Sequence, residues 1–321
     1  MKRRSFAAFV LAAAAVAATT HAVMAMSVTT TIDRLYEHRM FDVRRWPGSQ
    51  EEGLRLAGTY MRERVSRETG PIALFAGSSV THGYPWTQTQ TFTHAYSRAR
   101  GVAAINAGIL GLDVSGVNDW IICAAKGNAV RPDTLVIEIP VVNTVAHLVN
   151  YRRAGLAVPP MNDCAAAARS PSYARWAWSK PLGIGWLMFL WEADAYPKDD
   201  VVIRVEPVPA GYFTRRSEFE AVAGEFEARV VRLLTNARTV AGRVYAFPSP
   251  VYTAGLAEIG EDTAAVQAQL ARTVSACEQV DGVRCLDTAF LGERQQYFMN
   301  FTHLSQAGHR VMADWLAAHV H

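Results

Sequence analysis

The sequence predicts an α/β fold, a three-layer α/β/α sandwich around a parallel five-stranded sheet. Two features carry that expectation. From Pro71 onward, short apolar runs alternate with longer amphipathic stretches, the pattern of strands joined by helical crossovers. The apolar runs are continuous rather than alternating, as strands covered on both faces require. The length agrees, since 321 residues of which 50% are hydrophobic can bury a sizeable core.

The chain opens MKRRSFAAFVLAAAAVAATTHAVMA: a cationic start, an apolar stretch from Phe6 to Ala18, then small residues ending at Ala25. This is the layout of an export signal over residues 1–25, cleaved after Ala25. Arg3-Arg4-Ser5-Phe6 also fits a twin-arginine signal, and Ser5 to Met26 is just long enough for an uncleaved anchor; an ordinary Sec signal is the preferred reading. Each version places residues 26–321, read as one domain, in the periplasm or outside the cell. Lys2, Arg3 and Arg4 account for the whole formal charge of +3, so the rest of the chain is near neutral with basic and acidic residues intermixed. No nucleic-acid stripe or polybasic membrane patch is visible, which leaves an N-terminal anchor as the one route to a membrane.

Residues 32–67 mix helix-like stretches with the break Trp46-Pro47-Gly48 and lead into the first strand. Strands are expected at Ile72–Ala76, Val102–Asn106, Thr134–Ile139, Arg243–Pro248 and Val283–Leu286. Helices are expected at Thr89–Arg100, Gly116–Lys126, Arg216–Arg238, Thr263–Val280 and, at the end, Arg310–Ala318. An insertion over 150–215 interrupts the alternation, with Pro159-Pro160 and an aromatic-rich run from Trp176 to Trp191 whose apolar core is too short to span a membrane. It reads as a subdomain with its own small core or as a lid, with one or two tryptophans lining the cleft. The four cysteines, Cys123, Cys164, Cys277 and Cys285, lack C-x-x-C spacing and paired histidines, so zinc is not implied. Cys277 ends a helix that turns into the strand carrying Cys285, which favours a bridge between them in an oxidising compartment; buried free thiols are the alternative.

Ligands of such sheets sit beyond the carboxyl ends of the strands. Those positions hold Gly77-Ser78-Ser79 after the first strand, Ala107-Gly108-Ile109-Leu110-Gly111 after the second and Asn143 after the third. Asn300-Phe301-Thr302-His303 precedes the last helix. A serine, close-approaching glycine amides, a carboxamide and a histidine are the parts that acyl transfer needs. Serine becomes a nucleophile when a base takes its proton, and an oxyanion needs preorganised donors.

At these residues the sequence resembles the SGNH hydrolases, or GDSL-type esterases, whose fold is a flavodoxin-like α/β/α sandwich. Their first block, Gly-Asp-Ser-x-Thr-x-Gly, is matched by Gly77-Ser78-Ser79-Val80-Thr81-His82-Gly83 except at the acid, where Ser78 stands. The resemblance implies Ser79 as nucleophile. The Asn-x-x-x-x-Gly block, Asn106 to Gly111, makes Gly111 an oxyanion-hole glycine, and the degraded third block, Pro140-Val141-Val142-Asn143, makes Asn143 the oxyanion carboxamide beside the Ser79 N–H. The final block, Asp-x-x-His then Leu-Ser-x-x-Gly, is matched by His303 to Gly308 and makes His303 the base, with Asn300 in the place of the acid. The match covers roughly 71–149 and 216–318 and leaves the insertion unexplained.

An amide at position 300 orients imidazole without stabilising imidazolium. The expected machinery is therefore a Ser79–His303 dyad, alone or completed by a backbone carbonyl, unless Asp287, Glu293 or Asp113 brings a carboxylate from another loop. His82, His94, His147 and His309 read as loop, surface or packing residues. The implied function is an exported serine esterase acting on O-acyl, above all O-acetyl, esters of carbohydrates or small molecules, with no metal or organic cofactor. Two alternatives stay open: an O-acetyltransferase of exopolysaccharide or cell-wall glycan using the same acyl-enzyme, and a non-catalytic glycan-binding envelope protein.

Overall fold

The computed structural model describes residues 8–23, 50–109, 116–157 and 212–321. Gly111, Asp113, Cys164 and the tryptophan run of the insertion lie outside the described residues. A helix over 8–23 (α1) is followed by α2 (Gln50–Arg67). No helix among the described residues is long and apolar enough to cross a membrane.

The αβ body runs β1 (Ile72–Ala76), α3 (Ser79–His82), α4 (Phe92–Arg100), β2 (Ala103–Asn106), α5 (Val117–Gly127), β3 (Thr134–Ile139) and α6 (Val141–Arg153). After the insertion come α7 (Arg216–Glu220), α8 (Ala223–Ala237), β4 (Arg243–Pro248), α9 (Thr263–Glu278), β5 (Val283–Cys285) and α10 (Gln306–His319). All five strands are parallel in the order β2-β1-β3-β4-β5. This is the doubly wound order of flavodoxin-like sheets, and the expected fold class is the observed one.

The three layers follow from the two-residue period of a strand. Ile72, Leu74 and Ala76 of β1, with Leu135, Ile137 and Ile139 of β3, pack into a core with α2, α5, α6, α8 and α9. The alternate residues Ala73, Phe75, Val136, Tyr245 and Phe247 face the opposite way, against Phe92 and Tyr96 of α4 and Met312 and Leu316 of α10. One position in β3 departs from this apolar pattern: Glu138, on the face of Val136, is 0% exposed.

Several expected boundaries shift for local reasons. The stretch expected as one helix from Arg216 breaks at Ala221-Val222, where Val222 takes φ −120° and ψ 0°. The last helix begins at Gln306 rather than Arg310 because the Ser305 side chain caps it, accepting the Gly308 N–H at 3.1 Å. The expected Cys277–Cys285 disulfide is present, and Cys123 is disulfide-bonded as well.

Candidate active site

The first motif block leaves β1 and turns at once into the short helix α3, with Ser78 as its N-cap and Ser79 as its first residue. Gly83 ends that helix at φ 90°, a left-handed conformation that glycine adopts without strain. A Cβ on Gly77 would collide with the Thr81 hydroxyl and with Oε2 of Glu138, and one on Gly108 would collide with the His82 backbone. The second block therefore packs on the backbone of the first, and Gly77 on the Thr81 and Glu138 side chains, at distances that only glycine permits.

Asn106, from the second block, fastens the two together. It is buried, its Nδ2 donates to the Thr81 carbonyl at 2.8 Å and to Gln88 Oε1 at 2.9 Å, and its Oδ1 accepts the Gly108 N–H at 2.9 Å. Asn106 thus works as a brace for the turn that carries Ser79.

The last block is shaped by a bridge between Phe298 and Leu304, across which the Met299 N–H donates to the His303 carbonyl at 2.8 Å. Trp86 Nε1, just beyond the first block, donates to the Leu304 carbonyl at 2.9 Å and so ties the serine loop to the histidine loop. The result brings together two residues 224 apart in sequence: His303 Nε2 stands 2.8 Å from Ser79 Oγ. The Ser79 N–H has no hydrogen-bond partner among the described residues, as an oxyanion donor must be before substrate arrives.

Behind the imidazole stands Asn300. Its Oδ1 accepts the N–H groups of His303 at 2.8 Å and Thr302 at 3.0 Å. His303 Nδ1 lies 3.1 Å from that Oδ1 and 3.0 Å from Asn300 Nδ2. Burial pushes the imidazole pKa down to about 4, so the ring is neutral over most of the pH range. The ring edge of Tyr84 closes over it at 5.4 Å between centroids.

Asn143 sits in the first turn of α6 at the carboxyl end of β3, half-buried. Its Oδ1 accepts the Tyr212 hydroxyl proton at 3.1 Å, which leaves Nδ2 as the donating end. Tyr212 was not singled out by the sequence, because it falls within the 150–215 insertion and carries no motif signature.

Of the carboxylates considered as stand-ins for the missing acid, Asp113 lies outside the described residues, and Asp287 and Glu293 make no hydrogen bond to the histidine. Asp287 is exposed and accepts the Ala289 N–H at 2.8 Å within its own turn, and Glu293 is exposed on the surface. The buried carboxylate near the site is Glu138, also missed by the sequence reading, and it lies under Ser79 rather than behind His303. It accepts Ser78 N–H at 2.9 Å, Ser78 Oγ–H at 2.6 Å, Thr81 N–H at 2.9 Å, Thr81 Oγ1–H at 2.7 Å and the Ser249 hydroxyl. Charge inside an apolar strand was the available signal.

The other histidines are structural or peripheral. His82, expected in a loop, is 1% exposed within α3. His309 is buried, stacks on Phe92 at 5.6 Å and accepts the Phe92 N–H on Nδ1 at 3.2 Å. His94 is exposed, and His147 packs on Tyr151. Among the described residues, no cluster of three His, Cys, Asp or Glu side chains could hold a metal ion.

No protein-family model matches the sequence, and no curated protein does. Among solved structures the chain is similar to a member of the lipolytic protein G-D-S-L family from Veillonella parvula, at 12% identity and TM-score 0.43, covering 78% of this chain and 97% of the other. It is also similar to a family two carbohydrate esterase from Clostridium thermocellum, at 11% identity and TM-score 0.40, covering 78% of this chain and 63% of the other. A carbohydrate esterase family 2 enzyme with a carbohydrate-binding domain, from Corynascus thermopiles, matches at 11% identity and TM-score 0.41, covering 78% and 65%. These likenesses are distant and say nothing of activity. The chain's own features are a parallel, doubly wound α/β/α fold and motif blocks at Gly77–Gly83 and His303–Gly308 that resemble those of the SGNH hydrolases.

Proposed function

We propose that this chain is an exported serine esterase that works through an acyl-enzyme on Ser79. The observation that carries the reading is the 2.8 Å contact between Ser79 Oγ and Nε2 of a neutral, half-buried His303. In the proposed reaction, Nε2 takes the Ser79 proton as Oγ attacks the ester carbonyl. The oxyanion is held by Ser79 N–H, Gly111 N–H and Asn143 Nδ2. His303 then returns the proton to the leaving alkoxide, and a water activated by the same imidazole releases the acid. Asn300 orients the ring and carries no charge, so the base works as half of a dyad.

The substrate class is an O-acyl ester of a carbohydrate or small alcohol, with acetyl as the first acyl group to test; it rests on the motif resemblance. Export rests on Lys2-Arg3-Arg4 followed by the apolar helix over 8–23, and N-terminal sequencing of the mature protein from a periplasmic fraction checks it. The enzymatic reading is tested with a fluorophosphonate probe. Labelling that disappears in Ser79→Ala and persists in Ser78→Ala supports it, and a folded wild-type protein that takes up no label sinks it in favour of a binding protein. Product analysis with p-nitrophenyl acetate and added glycan then separates hydrolysis from acetyl transfer.

A further inference from the structure

A fully buried carboxylate in the middle of a sheet is unfavourable unless every lone pair finds a donor. Glu138 meets that condition with five donors and, among the described residues, no charged partner, and all five belong to three residues: Ser78, Thr81 and Ser249. Two of these bracket Ser79. The bonds take up the N–H groups of Ser78 and Thr81 and leave the N–H and Oγ of Ser79 unspent. Gly77 is part of the same arrangement, because a side chain there would strike Oε2 of Glu138. The third residue, Ser249, follows β4, and its N–H donates to the Ile139 carbonyl at 2.8 Å, so the carboxylate joins the loop ends of three adjacent strands. A position whose strand pattern calls for an apolar side chain is where a functional exception is expected.

We propose that Glu138 is the positioning residue of the nucleophile turn, and that β3 supplies from below the carboxylate that this chain lacks at position 78. Ser78 and Glu138 form one unit. The hydroxyl at 78 is there to donate to a carboxylate, and an acid at 78 would instead face Glu138 across a dry contact. The inference rests on the reading of Ser79 as nucleophile.

The test compares wild type, E138Q, S78D and the double variant S78D/E138Q by fluorophosphonate labelling rate and by kcat and KM on p-nitrophenyl acetate, with thermal melts of each. E138Q places an N–H₂ where donors already point, so it is expected to lower labelling rate and kcat by about tenfold or more with KM little changed. S78D alone is expected to be slower still, because two carboxylates then share one buried contact. In the double variant the new acid finds an amide donor, and the labelling rate recovers above that of either single variant. Such recovery is the signature that a loss of stability would not produce. If E138Q melts too low to assay, S249A and T81V each delete one donor, and each is expected to slow labelling while still melting cooperatively. Cooperative melting of E138Q with labelling at the wild-type rate overturns the proposal, as does a double variant no faster than its parents. Should wild type itself take no label, the nucleophile reading fails first; normal labelling of wild type and E138Q alike overturns the positioning role alone.

Discussion

Ser79 and His303 meet across one hydrogen bond, yet the loops presenting them are supported by opposite means. Under Ser79 lies an enclosed carboxylate with five donors aimed at it. Behind His303 lies a part-buried amide whose oxygen and nitrogen stand at nearly equal distances from the same ring nitrogen. The first loop has one arrangement that satisfies its hydrogen bonds, and the second has two. When Nδ1–H donates to Asn300 Oδ1, Nε2 is open to the serine proton. When Asn300 Nδ2 donates to Nδ1, Nε2 carries the hydrogen and cannot act as base. Ser79 is thus fixed, and in the proposed mechanism the tautomer of His303 is where rate is gained or lost.

The largest expected effect around that bond belongs to neither loop. Asn143→Ala removes the proposed side-chain oxyanion donor and should lower kcat on p-nitrophenyl acetate by about 10²–10³-fold; a loss below about tenfold would take Asn143 out of the proposed oxyanion hole. Asn300→Asp acts on the base directly. A carboxylate offers no N–H to Nδ1 and stabilises the imidazolium, so kcat should rise by about tenfold or more, given that the reverse change in a full triad costs about 10⁴. The same variant should move the acid limb of kcat/KM upward from about 4, where burial sets His303, toward the ordinary value of 6.5. A profile that does not move would erase the contrast between the loops.

Stability follows the same groups. His303 and His309 are held neutral by burial, at about 4 and about 3, and His303 adds a smaller repulsion to His309. The unfolded chain therefore binds more protons than the folded one between pH 6.5 and about 3, and stability should fall as pH drops through that window. Chemical denaturation at pH 7.5 and 5 checks the sign; equal midpoints would contradict it. The smallest effect is expected from Tyr212→Phe. It frees the Asn143 amide to rotate and should cost about 2–10-fold in kcat, an effect that vanishes in the Asn143→Ala background.

Three strands, Ile72–Ala76, Thr134–Ile139 and Arg243–Pro248, lie where the sequence alone puts them, because continuous apolar runs bounded by Gly, Pro or Asp have few other uses. The Ser79–His303 pair was legible too, through motif blocks whose order survives a long insertion. Glu138 was not. Its donors lie 57 to 111 residues away along the chain, and only the sheet register brings them together. The ambiguity at Asn300 was hidden for another reason: the residue type gives the loss of charge, whereas the two contacts to one nitrogen depend on the angle at which the amide meets the ring.

The Cys277–Cys285 bridge closes the far side of the sheet. Among the described residues β5 ends the strand order, is three residues long and pairs with β4 alone. A strand in that place offers unpaired backbone groups to any passing chain. Stapling Cys285 to the end of α9 keeps so short a strand from peeling away and exposing the longer β4 beneath it. Produced under reducing conditions, the same polypeptide would carry an unfinished rim, so its tendency to self-associate becomes a matter of the redox chemistry around it as much as of its own packing.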